Sequence, residues 1–491
     1  MDNTNDKIRE TLTNMNPWWE NADALPVVPE TRRHLVSQIQ KRMQIGLAPV
    51  VMIRGSRQIG KTTSQLQVIK DILEKGIPPR HICRIQFDEI SFIKHFDDPI
   101  LSLAYWYEKE ILKEKINLIA NKKGACVYFF FDEIQNVDNW APQLKHLVDI
   151  NSCQAVVTGS SALRIEKGKD SLAGRITTLN VGLLSLTEIG ILRKMKTPAP
   201  YMPDNGLEKL TKKEFWIGLG EYGLNHINYR DTVFKFFSQR GAYPIAHINP
   251  ELEWGFIADQ LNETIIQRVI QHDLRSGEKG RKRDVSLLEE LFRLCCRYAG
   301  QNPLLTTLVR ELQQTLNANI GPQKALNYLR FLSDILLVNL IMPLEIRLKK
   351  KKSSPKFCIA DHSLRASWLQ ENISLTGNNQ NQAEDTIAGH LAESIVGAFL
   401  STIHGLAVAY LPERNREPEV DFVITIGQHR IPIEIKYQNS VESKDTLGIK
   451  HFMNQPLNNA SFGLVITKND RNIMLEDNIM AIPLKSFLLM R

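Results

Sequence analysis

Gly55-Ser56-Arg57-Gln58-Ile59-Gly60-Lys61-Thr62 reads G-x-x-x-x-G-K-T. Residues of these types at this spacing do phosphate chemistry. The glycines let backbone N–H groups turn inward, and a following helix N-terminus adds partial positive charge. The pattern assigns Lys61 to the β- and γ-phosphates of ATP and the Thr62 hydroxyl to Mg2+. Thr63 completes the cradle.

Two further stretches supply the hydrolytic half. A wholly apolar run, Ala125–Phe131, ends in Asp132-Glu133. Asp132 is placed to hold Mg2+ directly or through water, and Glu133 to polarise the attacking water. The run Ala155–Ser161 ends in hydroxyls: Thr158, Ser160 or Ser161 can sense the γ-phosphate or hold the lytic water. Arg175, in Ser171-Leu172-Ala173-Gly174-Arg175, is either a structural arginine or one that stabilises the transition state, within its own chain or across an interface.

A second constellation lies near the C-terminus. Asp421 falls in one extended run (419–426), and Glu434 and Lys436 in the next (431–436), with the hairpin-length turn Gly427–Arg430 between them. Alternation puts Glu434 and Lys436 on one strand face. In this D…E-x-K pattern the carboxylates of Asp421 and Glu434 would hold Mg2+ or Mn2+, and Lys436 would orient a water made acidic by the metal. Glu393, on a helical stretch from 384 to 403, can complete the metal set. The competing reading is a carboxylate–lysine cluster held by ion pairs in an inert domain used for binding or assembly.

The elements that must position these residues are legible as patterns. Val50-Val51-Met52-Ile53 before the loop and a helix-capable run from Thr63 to about Lys75 give a strand–loop–helix. With the runs at 82–88, 125–131 and 155–158 this is a parallel α/β sheet, buried on both faces. Residues 1–45 are a lead-in segment. In it Trp18 and Trp19 either anchor the segment on the core or line the adenine pocket, and 31–43 is an amphipathic helix with a solvated face of Arg32, Arg33, Lys41 and Arg42. The ATPase core takes 46–195, and a helical lid or connector 196–284. Within it, the polar basic run 274–284 is a solvated linker or touches DNA backbone. Three helices and an extended pair over 285–376 suggest a winged helix, with Lys349–Lys352 at the hairpin tip, where they meet DNA phosphates or keep the hairpin soluble. The last domain is 383–491.

Bulk properties set the class. The 491 residues bound the chain to about three or four domains. It is 43% hydrophobic and 23% charged, with a formal net charge of +7, compatible with a nucleic-acid partner without requiring one. Six cysteines form no C-x-x-C pair, which removes support for zinc-ribbon and thioredoxin-like readings. The N-terminus is not a signal peptide, and no apolar run reaches the roughly 18 residues of a membrane span. These features point to a cytoplasmic protein.

GSRQIGKTT, FFFDEIQ, VVTGSSALRI, SLAGR and LLSLTEI, in that order, followed by GAYP at Gly241–Pro244, resemble a family of prokaryotic AAA-type ATPases. Its members carry a C-terminal domain similar to restriction endonucleases, of the PD-(D/E)xK type. The resemblance covers nearly all the chain; 196–230 stands out as a variable insertion, and Val420 stands where many such nucleases have proline. It implies an α/β fold: a P-loop NTPase parallel-sheet core, a helical lid, a winged-helix module and a C-terminal restriction-endonuclease-like α/β domain. It also implies ATP and Mg2+ as cofactors, Gln135 near the nucleotide, DNA as a partner and assembly into homo-oligomers.

Overall fold

The computed structural model describes residues 2–90, 92, 96–122, 125–159, 172–203, 206–270, 284–316, 320–345, 354–377, 382–413, 418–469 and 473–491. Ser160, Ser161, the lysine cluster 349–352 and the basic stretch 274–283 lie outside these residues. The chain forms two compact units, Met1–Gly182 and Leu183–Arg491.

The first unit is built on five strands: β1 (Val50–Gly55), β2 (Ile82–Gln86), β3 (Val127–Asp132), β4 (Cys153–Gly159) and β5 (Ile176–Val181). They run parallel in the order β2-β3-β4-β1-β5. Val50 to Ile53 and Phe129 to Phe131 are essentially without solvent exposure, as a sheet covered on both faces demands. Parallel strands bring all their C-terminal ends to one edge, where open α/β sheets bind ligands. The phosphate loop follows β1 there, and helix α3 (Lys61–Glu74) starts from it. The α3 face bearing Val68, Ile69, Ile72 and Leu73 is buried in the core.

The lead-in segment is part of this core. After helix α1 (Asp2–Met15), the Asn16 side chain donates to the carbonyls of Leu12 and Arg84 and accepts from the Arg84 N–H. Trp18 and Trp19 both donate their indole N–H to the Ile82 carbonyl, at 3.1 and 2.7 Å. Ile82 begins the edge strand β2, at the end of the sheet opposite the phosphate loop, so the indoles anchor the segment and do not line a nucleotide pocket. Removing either buried ring would cost roughly 3–5 kcal/mol. The chain then runs back to α3 and enters helix α2 (His34–Ile45). Gln67 holds the carbonyls of Pro29 and Thr31, and Arg32 makes a two-pronged ion pair with Asp71.

The second unit carries an eight-stranded sheet in the order β12-β13-β11-β10-β9-β8-β6-β7. Its strands are β6 (Val338–Pro343), β7 (Lys356–Ile359), β8 (Ala407–Leu411), β9 (Val420–Ile426), β10 (His429–Lys436), β11 (Gly463–Thr467), β12 (Ile473–Glu476) and β13 (Ile479–Pro483). Helices Val285–Arg297, Leu305–Leu316 and Pro322–Asp334 precede the β6–β7 hairpin. That hairpin is not separate from the rest: β6 pairs with β8, so the sheet runs across the boundary expected between 376 and 383. The helical stretch expected as a lid belongs to the core of this unit. Trp216 stacks on Phe487 with centroids 6.0 Å apart, and Met202 donates its N–H to the Met490 carbonyl. Arg230, wholly buried, donates to the Ser486 hydroxyl at 3.1 Å.

Candidate functional site

The phosphate loop is shaped by close packing. A Cβ on Gly55 would collide with the Ile59 side chain and the Val181 carbonyl, so only glycine fits where β1 turns into the loop. Gln58 and Gly60 both take positive φ, at 57° and 89°. Lys61, 5% exposed, donates from Nζ to the carbonyls of Gly55 (3.0 Å) and Ser56 (2.7 Å), which fixes its charge within the loop. Burial holds its pKa below the ordinary lysine value, and the carboxylates of Glu133 and Asp132 oppose that shift. Arg57 and Thr63 lie in the loop and in the first turn of α3.

β4 lies between β1 and β3, so its terminal side chains reach both halves of the site. Thr62 Oγ1 donates to Asp132 Oδ2 at 2.7 Å. Thr158 Oγ1 donates to the other carboxylate oxygen of Asp132 and accepts the Glu133 backbone N–H at 3.1 Å. Glu133 has a φ of 52°, a left-handed conformation that costs a non-glycine residue of order 1–2 kcal/mol. Its carboxylate accepts a hydrogen bond from Gln135. Thr158, named in the sequence beside Ser160 and Ser161, is thus the described hydroxyl that organises both acids. Thr62 and Asp132 are hard oxygen donors side by side, a set that suits Mg2+ completed by phosphate oxygens.

Other residues join this site without a motif to announce them. Arg33, expected on a solvated helix face, donates to the Ile59 carbonyl at 2.6 Å and the Gly182 carbonyl at 3.2 Å. Gln65 ties the start of α3 to the carbonyls of Phe131 and Val156, at 3.2 and 3.1 Å. Arg84, on β2, approaches Asp132 at 3.5 Å. Their only sequence signal is a polar residue in or beside a buried element.

Arg175 is not brought to the site. Its carbonyl accepts the Val50 N–H, at the start of β1, and its side chain pairs with Asp149 at 3.0 Å. The length of β1, about 17 Å at 3.3 Å per residue, separates that end from the phosphate loop. A role for Arg175 at its own chain's nucleotide has no support in this placement.

The C-terminal residues do converge. Asp421 Oδ2 accepts the Ile435 N–H at 2.9 Å, and Glu434 Oε1 pairs with Lys436 Nζ at 2.7 Å. A Cβ on Gly397 would strike Cys358 and the Phe422 ring, so glycine lets the helix Gln382–Ser401 press against β7 and β9. Glu393, one turn earlier, is thereby delivered to the cluster. At its centre stands Lys356, from β7, which the sequence reading did not single out. Its Nζ lies 2.8 Å from Asp421, 3.2 Å from Glu393 and 3.5 Å from Glu419. Burial raises the Glu434 pKa to about 8, with the Asp421 charge adding to the shift and Lys436 opposing it. Among the described residues no group of three or more His, Cys, Asp or Glu side chains is disposed to hold a metal ion. A divalent cation does not fit these carboxylates while the Lys356 ammonium sits on them.

Comparison with known proteins bears on each part. Residues 48–190 match the model of an AAA domain. Residues 234–374 and 388–487 match two domains of unknown function, DUF8612 and DUF4143. An uncharacterized protein of Methanocaldococcus jannaschii is 25% identical over 466 residues, covering 93% of this chain and 88% of its own. An uncharacterized protein of Haemophilus influenzae is 23% identical over 411 residues, covering 82% and 86%. Among solved structures, the Walker-type ATPase of Pyrococcus abyssi superposes with a TM-score of 0.42 at 12% identity, covering 71% of this chain and 99% of that one. The Hsp104–ADP complex of S. cerevisiae gives 0.30 at 14% identity, covering 65% and 41%. No described helix is long and apolar enough to cross a membrane. The matched domain model, the parallel sheet and the Lys61–Thr62–Asp132 geometry agree: this chain carries a P-loop ATPase domain of the AAA type.

Proposed function

We propose that this chain is an ATP-hydrolysing switch whose first unit reads nucleotide state and whose second unit is its output. The observation that carries the reading is the network in which Thr158 holds both Asp132 and the Glu133 backbone, while Thr62 and Lys61 stand at the loop opposite. The loop N–H groups and Lys61 bind the β- and γ-phosphates. Mg2+, held by Thr62 and Asp132, supplies charge neutralisation on the phosphates when bound. Glu133 orients the attacking water and takes its proton, and Gln135 holds that carboxylate in place. Arg33 links the loop to Gly182, the last residue of the first unit. The test is a pair of measurements on purified chain: Glu133→Gln should bind ATP as wild type does and hydrolyse it at least a hundredfold more slowly. Unchanged turnover in that variant would remove Glu133 from the reaction.

A nuclease reading of the second unit is kept by the convergence of Asp421, Glu434, Lys436 and Glu393. It requires Mg2+ or Mn2+ to displace Lys356. Metal-dependent cleavage of plasmid or single-stranded DNA, lost in Glu434→Ala and Lys436→Ala, would replace the switch with a nuclease. DNA as a bound partner has separate support in three helices followed by a hairpin, the order of a winged helix. Replacing Lys349–Lys352 with neutral residues should then abolish DNA affinity, and salt-insensitive binding unchanged by that replacement would sink the idea.

A further inference from the structure

Lys356 is 1% exposed, yet it is a lysine at the first position of a buried strand. A buried ammonium costs several kcal/mol unless it is paired and hydrogen-bonded. Here Asp421, Glu393 and Glu419 surround it, and the rings of Phe422 and Tyr410 lie 5.2 and 5.9 Å away. We propose that Lys356 is a built-in cation that closes the Asp421–Glu393–Glu419 cluster to divalent metal, so that the second unit works as a metal-free module. The inference rests on the reading of this unit as an output rather than a nuclease.

Three features make the closure structural. The Lys356 nitrogen occupies the space between the oxygens a metal would need, and Mg2+ requires oxygens at about 2.0–2.1 Å. Ion and ammonium cannot share it. The backbone that carries Lys356 is fixed: Phe357 donates to the Gln301 carbonyl at 2.8 Å and accepts the Gly300 N–H at 2.7 Å, and Ile359 donates to Ser394 Oγ at 2.9 Å. Ser394 follows Glu393 directly, so the strand bearing the cation and the helix bearing its partner are bolted together. The remaining acid of the expected metal pair, Glu434, is turned to Lys436. Three carboxylates within 3.5 Å keep the ammonium paired inside the cluster.

The test is Mn2+ binding by the full chain without nucleotide, followed by the electron paramagnetic resonance of free Mn2+. Wild type and Asp421→Asn should give the same titration. Lys356→Met, which keeps the length of the side chain and removes the charge, should gain a site at least tenfold tighter than any in wild type. That site should vanish in Lys356→Met combined with Asp421→Asn, and Lys356→Arg should behave as wild type. An Asp421-dependent Mn2+ site in the wild-type chain would overturn the proposal. Should Lys356→Met fail to fold, the wild-type and Asp421→Asn titrations alone decide in the same sense. ATP turnover measured on the same wild-type sample reports on the switch reading independently: its absence would sink that reading and leave the Mn2+ result standing.

Discussion

Thr158 hydrogen-bonds Asp132 through its hydroxyl and holds the backbone N–H of Glu133 with the same oxygen, so one side chain on β4 sets two acids on β3. Losing a hydrogen bond to a charged group costs about 1.5–3 kcal/mol, or roughly 10- to 100-fold in rate if it is felt in the transition state. Thr158→Val should therefore lower kcat for ATP by that factor and leave KM nearly unchanged. Steady-state kinetics checks this. An effect confined to KM would place Thr158 in binding alone.

Arg33 bridges the phosphate loop and the end of the first unit. Arg33→Ala should raise KM for ATP by about 10-fold, the loss of a charged hydrogen bond to the loop. Arg33→Lys should recover little, because a lysine cannot span two carbonyls with a planar fork. Equal rescue by lysine would show that charge alone matters.

Arg175 pairs with Asp149 on an exposed surface, and such pairs contribute about 0–1 kcal/mol. Arg175→Ala should leave ATP turnover of the single chain within about twofold of wild type. A concentration-dependent loss of turnover would instead reveal an arginine acting across an interface between copies.

His247 is buried among basic neighbours. Its Nε2 donates to the Gly241 carbonyl at 2.8 Å, and Arg193 donates to Nδ1 at 3.3 Å, a pattern only the neutral ring satisfies. Burial lowers its pKa to about 4 from an ordinary 6.5. The unfolded chain therefore binds a proton that the folded one refuses. Stability from this group is full above pH 6.5 and is lost as pH falls toward about 4, to the extent of about 3 kcal/mol. Denaturant unfolding across that window should show the loss, and His247→Gln should flatten it. An unchanged slope in the variant would assign the pH dependence to other groups.

The sequence made the nucleotide half legible because its determinants are local. A glycine loop, an apolar strand ending in Asp132-Glu133 and a hydroxyl at the end of the next buried run are each contained in one short stretch. Arg33 and Lys356 were not legible for the opposite reason. Arg33 reaches a loop far along the chain, and Lys356 looks like any lysine flanking a strand until β7, β9 and the helix Gln382–Ser401 meet around it. The second unit escaped its expected boundaries for the same cause: the β6–β8 pairing and the Trp216–Phe487 stack join segments remote in sequence. Fold-level patterning reads period and length, and neither carries the partner of a buried charge.

If the loop Gly55–Thr62 drives ATP hydrolysis, phosphate release by purified wild-type chain and by Lys61→Ala, each with Mg2+, tests it most directly. The wild type should turn over, and the variant should lose at least a hundredfold. Equal phosphate release by the two proteins would contradict it.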